Sequence, residues 1–543
     1  SSQNTEYRNP LANASFLHND TNQPRNPFND TYAVELESVQ SPPEPYHVFT
    51  KKEKWFAVLI VSAAGFCSTM SSSIYYPALN AISRDLQSSQ VMVSFMTTSY
   101  LVIQGISPLV WGSISDALGR RPAYLASFAV YILANLILIF SPNLASLVVL
   151  RGLQAAGEAP IVSIGNGFIQ DISDPATRGL FIGFYQASSL LTPEARNFSL
   201  VIGPILGSLL TAAFGFRSIF SLLLVLSFVS SLLIICFLPE TSRAIAKNGS
   251  SQLSGIYKPL IQYRRTGAAI PTDRLKKSPQ ARLVWSTVFQ ALRLLRHKDI
   301  LIILVFSGVV YAVWCMVMSS TPKLFKLLFG LDNRQLNVVL LSNGFGAVFG
   351  PYMVGYVMRH DYTVAEMSMK TMHGYENSAK QSKDTISAEL PIERARLRKL
   401  PWILIVLIIS IAAYGLSVGF PSVVERSGWI AVPLIFHFFI AGASNAVITC
   451  VQTLVIDLCP GKGASASAIT NLVMCVLAAI GNGSVESFLA ATGPGATFIG
   501  LALVMVVVCT LAVAHWCWGQ RWRVERLKAD ERAKTKKTLV RSS

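Results

Sequence analysis

An arginine and a glutamate share one apolar stretch of this sequence, Leu150-Arg151-Gly152-Leu153-Gln154-Ala155-Ala156-Gly157-Glu158. On a helix their spacing is about two turns, which puts Arg151 and Glu158 on nearly the same face. Each charge then lowers the cost of burying the other, and the carboxyl group can take up and release a proton. The alternatives are an arginine that snorkels to an interface and a glutamate satisfied by a neighbour with no part in any chemistry. A second constellation is Gly112-Ser113-Ile114-Ser115-Asp116-Ala117-Leu118-Gly119-Arg120-Arg121-Pro122. Its glycines suit a tight turn and close helix approach, and Asp116 is placed to pair with an arginine or to meet a helix N-terminus. A third is Gly203-Pro204-Ile205-Leu206-Gly207-Ser208, where small residues allow close packing and the proline bends the helix. Tyr75, Tyr76, Gln104, Asn166, Trp314, Asn343, His437 and Asn445 are polar or aromatic groups inside apolar stretches. They are candidates to line a cavity for an amphipathic or cationic organic molecule, although ordinary helix packing accounts for any one of them equally well.

Other chemistries lack their residues. No G-x-x-x-x-G-K-[ST], H-E-x-x-H or G-x-S-x-G is present, so neither ATP-driven work nor a membrane enzyme has visible machinery. The eight cysteines (Cys67, Cys236, Cys315, Cys450, Cys459, Cys475, Cys509 and Cys517) form no CxxC and sit mostly in apolar runs. They read as small buried hydrophobes, so no metal and no cofactor is expected. Any solute movement would be driven by an ion gradient.

The elements that must position these residues follow from composition. Of 543 residues, 52% are hydrophobic and only 14% charged, with a mean hydropathy of +0.45; soluble chains carry about 25% charged residues. The apolar runs are unbroken rather than alternating, which points to membrane helices and not a barrel. Ten segments are free of internal charge: 55–78, 91–111, 122–141, 217–238 (opened by Arg217), 300–320, 336–358, 401–420, 428–452, 463–485 and 496–519. Two more, 145–170 and 179–214, carry internal charges. The expectation is an all-α polytopic protein of twelve transmembrane helices in two six-helix bundles. Residues 1–54 form a disordered N-tail, 55–238 the first bundle, 239–299 a central loop, 300–519 the second bundle with an insert at 359–399, and 520–543 a basic C-tail. With the N-terminus inside, 38 of the 46 Lys and Arg fall on the cytoplasmic side and six outside. Both termini therefore read as cytoplasmic. The net charge of +17 is then mostly topological and faces the bilayer, not nucleic acid.

The Gly112–Pro122 stretch resembles the loop signature between the second and third spans of the major facilitator superfamily. Arg151 resembles the arginine that this family places in its fourth span, and the resemblance implies a link to proton coupling. Gly203, Pro204 and Gly207 resemble the antiporter signature of the fifth span, found in the exporters of the superfamily. Pro239-Glu240-Thr241, Ile74-Tyr75-Tyr76-Pro77-Ala78-Leu79, Gln104-Gly105-Ile106-Ser107-Pro108, Arg359-His360-Asp361-Tyr362 and Asn471-Leu472-Val473 together look like the fungal drug:proton antiporters of twelve spans, the branch of quinidine-resistance and dityrosine exporters. The match covers about residues 50–520. It implies a major facilitator fold and a link to proton coupling for Arg151; Gly112, Asp116, Gly119, Arg120 and Arg121 are the expected cytoplasmic gate, and the spacing of Glu158 from Arg151 makes it the first candidate to carry the proton.

Three departures stand out. Met474 stands where this branch often has arginine. Glu158 stands where a small residue is usual. Residues 192–198 (Thr192-Pro193-Glu194-Ala195-Arg196-Asn197-Phe198) add about two turns to the fifth span, either through a gene-model or splicing error or as a real bulge facing the cavity. The functional expectation is proton-coupled export, by antiport, of a small organic compound such as a drug, toxin or secondary metabolite. The partners are the substrate, protons and lipid, and the protein acts as a monomer in the plasma membrane or a vacuolar one. The alternatives are an exporter of an endogenous polyamine, amino acid or cell-wall precursor, and a non-transporting sensor or scaffold.

Overall fold

The computed structural model describes residues 49–75, 78–87, 90–187, 199–246, 253, 255–261, 292–331, 333–372, 391–420 and 428–542. Tyr76 and the 192–198 segment lie outside the described residues, as do 1–48 of the expected N-tail and most of the central loop.

Every expected apolar segment falls on a helix. The first half holds α1 (Lys51–Ser73), a short α2 (Leu79–Asp85), α3 (Gln90–Leu118), α4 (Arg120–Ile139), α5 (Leu144–Ile172), α6 (Pro175–Ala187), α7 (Ser199–Phe214), α8 (Arg217–Phe237) and a one-turn α9 (Arg243–Ala246). The second half holds α10 (Lys298–Phe329), α11 (Asn333–Met372), α12 (Ile392–Leu397), α13 (Leu400–Gly419), α14 (Ala431–Leu458) and α15 (Gly463–Ser542). Among the described residues eight helices are long and apolar enough to cross a membrane. The last of these contains two expected spans, separated where Gly493 adopts φ 76° just before Pro494. Large apolar side chains cover the outside, among them Val149, Phe214, Trp402 and Val507, each at least two-thirds exposed. Such a surface requires lipid around it, and the protein is a multi-pass membrane protein.

Local signals set the helix ends. Thr50 and Glu53 form a reciprocal capping box at the start of α1. Asn143 accepts the amide of Ser146 at 2.9 Å to open α5. Gly330 closes α10 in the left-handed conformation. Three elements extend beyond their expected ends. α11 runs on to Met372, into the expected 359–399 insert, and α12 forms inside the same insert. α15 continues through the expected C-tail. That continuation is held by ion pairs: Arg523 lies 3.1 Å from buried Glu393, and Arg526 3.0 Å from buried Asp299.

The apolar core follows the two halves. One cluster runs through the second half from Ile300 to Ala512. Two clusters fill the first half, one around Tyr124, Phe128 and Tyr185 and one around Met70, Ile74 and Phe220. Close backbone approach in the first half depends on the third constellation. A Cβ at position 207 would overlap the carbonyl oxygen of Ile74, and one at 203 would overlap the Ser73 hydroxyl. The small residues of α7 therefore seat it directly on the end of α1. Gly207→Ala should lower the thermal midpoint of the detergent-purified protein, with the cost of about 1–3 kcal/mol usual for overpacking. Phe214→Leu, on the lipid-facing surface, should leave the midpoint unchanged.

Candidate functional site

The two halves are joined by a layered polar network at the end of the bundle that carries Asp116. Asp116 does both of the things its position allows. One carboxylate oxygen pairs with the Arg120 guanidinium, and the other accepts the Ser465 backbone N–H at 3.0 Å, together with the Ser465 hydroxyl. Ser465 lies in the first turn of α15, so a carboxylate of one half caps a helix of the other and meets the positive end of its dipole. Arg120 is fully buried and donates from Nε to Asp171 Oδ2 at 2.7 Å. The second half repeats the device. Arg396, equally buried, donates from Nε to Asp457 Oδ2 at 2.8 Å. The other oxygen of Asp457 pairs with Arg178 in the first half, and Arg396 also reaches the carbonyl of Pro175. Tyr362, beyond the apolar part of α11, lays its ring 4.5 Å from the Arg396 guanidinium carbon. Burial pushes its hydroxyl up to about 12, so the ring meets the cation as a neutral phenol.

Neutral groups extend the contact inward. Asn166 Nδ2 donates to Ser467 Oγ at 2.7 Å. Gln170 Nε2 donates to the carbonyls of Ile456 and Cys459 at 2.7 and 3.0 Å, and Gln186 bonds Gln452. Asn471 Nδ2 donates to the Gln104 carbonyl at 3.2 Å, about 9 Å along α15 from Ser465 and about 18 Å along α3 from Asp116 at a rise of 1.5 Å per residue. Gly112 lets α3 meet α15, because a Cβ there would sit 3.0 Å from the Ala464 carbonyl oxygen. The protein is closed at this end.

Gly119 and Arg121 act within the first half. The Glu240 carboxylate accepts the backbone N–H groups of Arg120 (2.9 Å), Arg121 (3.0 Å), Thr241 (3.0 Å) and Ser242 (2.8 Å), and so caps α4. Gly119 has φ 108°, and a Cβ there would lie 2.6 Å from Glu240 Oε2. The Arg121 side chain turns to the carbonyls of Ile235 (2.7 Å), Ile256 and Lys258. It ties the start of the central loop to α8 instead of bridging the halves.

The in-span charges form a separate centre. Arg151 is completely buried. The Tyr75 and Tyr100 rings flank its guanidinium, with centroids 3.9 and 4.2 Å from the guanidinium carbon and 6.1 Å from each other. Nη1 donates to Gln154, whose amide donates on to Asn135 Oδ1 at 2.6 Å. Nε and Nη2 are buried without a hydrogen-bond partner. Glu158, also completely buried, accepts from Tyr100 Oη, from Ser68 Oγ at 2.6 Å and from Gln104 Nε2 at 3.4 Å. Tyr100 therefore bridges the two charges, its ring on Arg151 and its hydroxyl on Glu158.

Of the residues singled out in the sequence, the Arg151 and Glu158 pair lies in one centre with two of the cavity candidates, Tyr75 and Gln104, and Asp116 meets Arg120 elsewhere. Asn166 belongs to the contact between halves. Trp314 Nε1 donates to Asn343 Oδ1 at 2.9 Å, a separate pair in the second half. His437 bonds Thr321 at 3.0 Å beside Tyr414 inside the second half, and Asn445 bonds the Ala441 carbonyl of its own helix. Tyr100, Ser68, Arg396 and Ser465 were missed. Tyr100 carried a readable signal, since it lies one turn before Gln104 on the same face of α3.

A profile described as "Major Facilitator Superfamily" matches residues 61–375, more than half of the chain. The chain belongs to this superfamily. It is 39% identical to "Citrate exporter 1" of Aspergillus niger over 498 residues, 91% of this chain and 92% of that one. It is 28% identical to "Probable transporter AQR1" of Saccharomyces cerevisiae, covering 91% of this chain and 82% of the relative. It is also 28% identical to "MFS antiporter QDR2" of Candida albicans, at 86% and 89% coverage. The major facilitator fold appears in the proton:xylose symporter XylE, with a TM-score of 0.55 at 12% identity, covering 87% of this chain and 97% of that one. The protein is a membrane transporter of a small molecule, with fungal exporters among its relatives, and not an enzyme.

Asp457→Asn leaves both Arg178 and Arg396 short of a buried partner. A melting curve should show a loss equivalent to about 3–5 kcal/mol. Asp361→Asn, whose nearest cations are 3.7 Å away and exposed, should change it little.

Proposed function

We propose that this transporter exports small organic acids, that a substrate carboxylate binds Arg151, and that Glu158 carries the proton that couples the cycle. The observation behind this reading is the free edge of Arg151. Nε–H and Nη2–H point along one side of the planar guanidinium, the fork that matches a carboxylate bidentately. Nη1 is already committed to Gln154, and two tyrosine rings pack against the guanidinium. That leaves two buried donors in the geometry of an oxyanion site. The relative named as a citrate exporter supports the same substrate class. The lysine and arginine bias puts the Asp116 end in the cytoplasm, with both termini there. The closed network would then seal the inner face, in the outward-facing stage of a rocking cycle. Export requires this seal to break, with Asp116 and Asp457 releasing Ser465 and Arg178 as the halves rock. The protein works as a monomer in the plasma membrane.

A second reading, export of a drug, toxin or secondary metabolite by proton antiport, is favoured by Glu158. A cationic molecule would find there a buried carboxylate beside aromatic rings. Efflux from proteoliposomes loaded with radiolabelled citrate or succinate tests the first reading against a cationic dye. Wild type should move the acids. Arg151→Lys keeps the charge but loses the fork, and should cut transport at least tenfold. Unimpaired acid export by that variant, or movement of the dye alone, would overturn the organic-acid reading. Transport by Glu158→Gln with an unaltered pH profile would remove the glutamate from coupling.

A further inference from the structure

We infer that the charge of the substrate sets the direction of proton coupling at this centre: an anion loads together with a proton, and a cation loads against one. This rests on Arg151 and Glu158 being the substrate and proton groups of the proposed function, and it adds the sign of their interaction.

The argument begins with Tyr100. Arg151 and Glu158 could neutralise each other by direct contact, and an anion would then have to break an ion pair to bind. They do not touch in that way. Tyr100 stands between them, with its ring centroid 4.2 Å from the guanidinium carbon and its hydroxyl on the carboxylate. Ser68 and Gln104 hold the carboxylate from its other sides, and Gln154 holds the guanidinium. Tyr100 is thus a positioning residue that keeps the two charges close and separately available. The other titratable groups facing Glu158 are Cys67 and Tyr131, from α1 and α4. Both are neutral as free thiol and phenol, so Arg151 and Glu158 carry the charge of this centre.

Charge balance then decides the coupling. With Glu158 ionised the empty centre is neutral, with one cation and one carboxylate. A carboxylate on the Arg151 fork makes it net negative inside a buried, weakly screened site. Protonation of Glu158 restores neutrality, so anion and proton each raise the affinity for the other by the same factor. A cation bound at Glu158 does the reverse, because proton and ligand compete for one carboxylate. An acid therefore leaves with its proton, and a cationic drug leaves in exchange for one.

Proton exchange on binding tests this directly. Citrate, and separately tetraphenylphosphonium, is added to purified wild-type protein in weak buffer, and protons taken up or released are measured. Glu158→Gln is measured alongside to subtract the probes' own titration. The expected result is proton uptake on binding citrate and proton release on binding tetraphenylphosphonium, the two together amounting to at most one proton per site at a given pH, and neither in the Glu158→Gln protein. Tyr100→Phe keeps the ring over Arg151 and removes the hydroxyl. It should move the pH at which exchange is half complete without abolishing exchange, a change that simple loss of packing would not produce. Proton release on citrate binding, or exchange that survives in Glu158→Gln, overturns the inference. Release with the cation in a protein that does not bind citrate overturns the organic-acid reading and keeps the sign rule. Binding of neither probe by a protein that melts cooperatively overturns both.

Discussion

A buried arginine held through its Nε by an aspartate occurs twice in this protein, and the closed end is built on that repeat. Arg120 with Asp171 fixes the start of the third span to the end of the fourth, and Arg396 with Asp457 does the same for the ninth and tenth. A buried ion pair gives little net stability and is severe to break, so each pair pins its helices in one register. Each half then sends one of its aspartates across. Asp116 reaches the first turn of the eleventh span, and Asp457 reaches Arg178 in the first turns of the fifth. The fifth and eleventh spans are counterparts in the two halves, so the seal has the same internal symmetry as the fold. Its strength comes from helix ends and charges that lie within reach of water once the halves part, which suits a contact that must form and dissolve in every cycle.

At the other end the described residues show an exposed ion pair, Lys323 with Glu486 at 3.3 Å, and the packing is of a different kind. α7 rests on α1 through glycines, with backbone against backbone. That contact belongs to the first half alone and can move with it as a rigid body. Arg151 and Glu158 lie between these regimes, fixed by hydrogen bonds to α1, α3 and α4 of the same half. The centre is therefore built within the first half.

Much of this was legible in the sequence. Unbroken apolar runs gave the spans, because a membrane leaves helix as the one way to satisfy the backbone. The Gly112–Pro122 spacing marked the closed end, because glycine and aspartate at a turn have few other uses. Arg151 and Glu158 marked the centre because charge inside an apolar run is costly without a purpose. The rest was hidden for physical reasons. Arg396 sits among Arg394, Arg398 and Lys399 in a polar insert, and nothing local distinguishes the buried one from its exposed neighbours. Ser465 acts through its backbone N–H, which every residue but proline has. The partner of Glu240 is the amide group at the start of α4, 120 residues earlier in the chain. Arg121 looked like part of the seal because it adjoins Arg120, yet successive helix positions point about 100° apart, and it serves a different contact.

The helix beyond the twelfth span gives the order of synthesis a structural meaning. Asp299 and Glu393 are buried in the second half, and their partners Arg526 and Arg523 follow them by 227 and 130 residues in the chain. Until those residues leave the ribosome, two carboxylates at the mouth of the second bundle have no counter-charge. The bundle can insert but cannot finish closing, as domains completing in chain order would do. A chain cut short before residue 523 would keep every membrane span and still carry two unmatched acids.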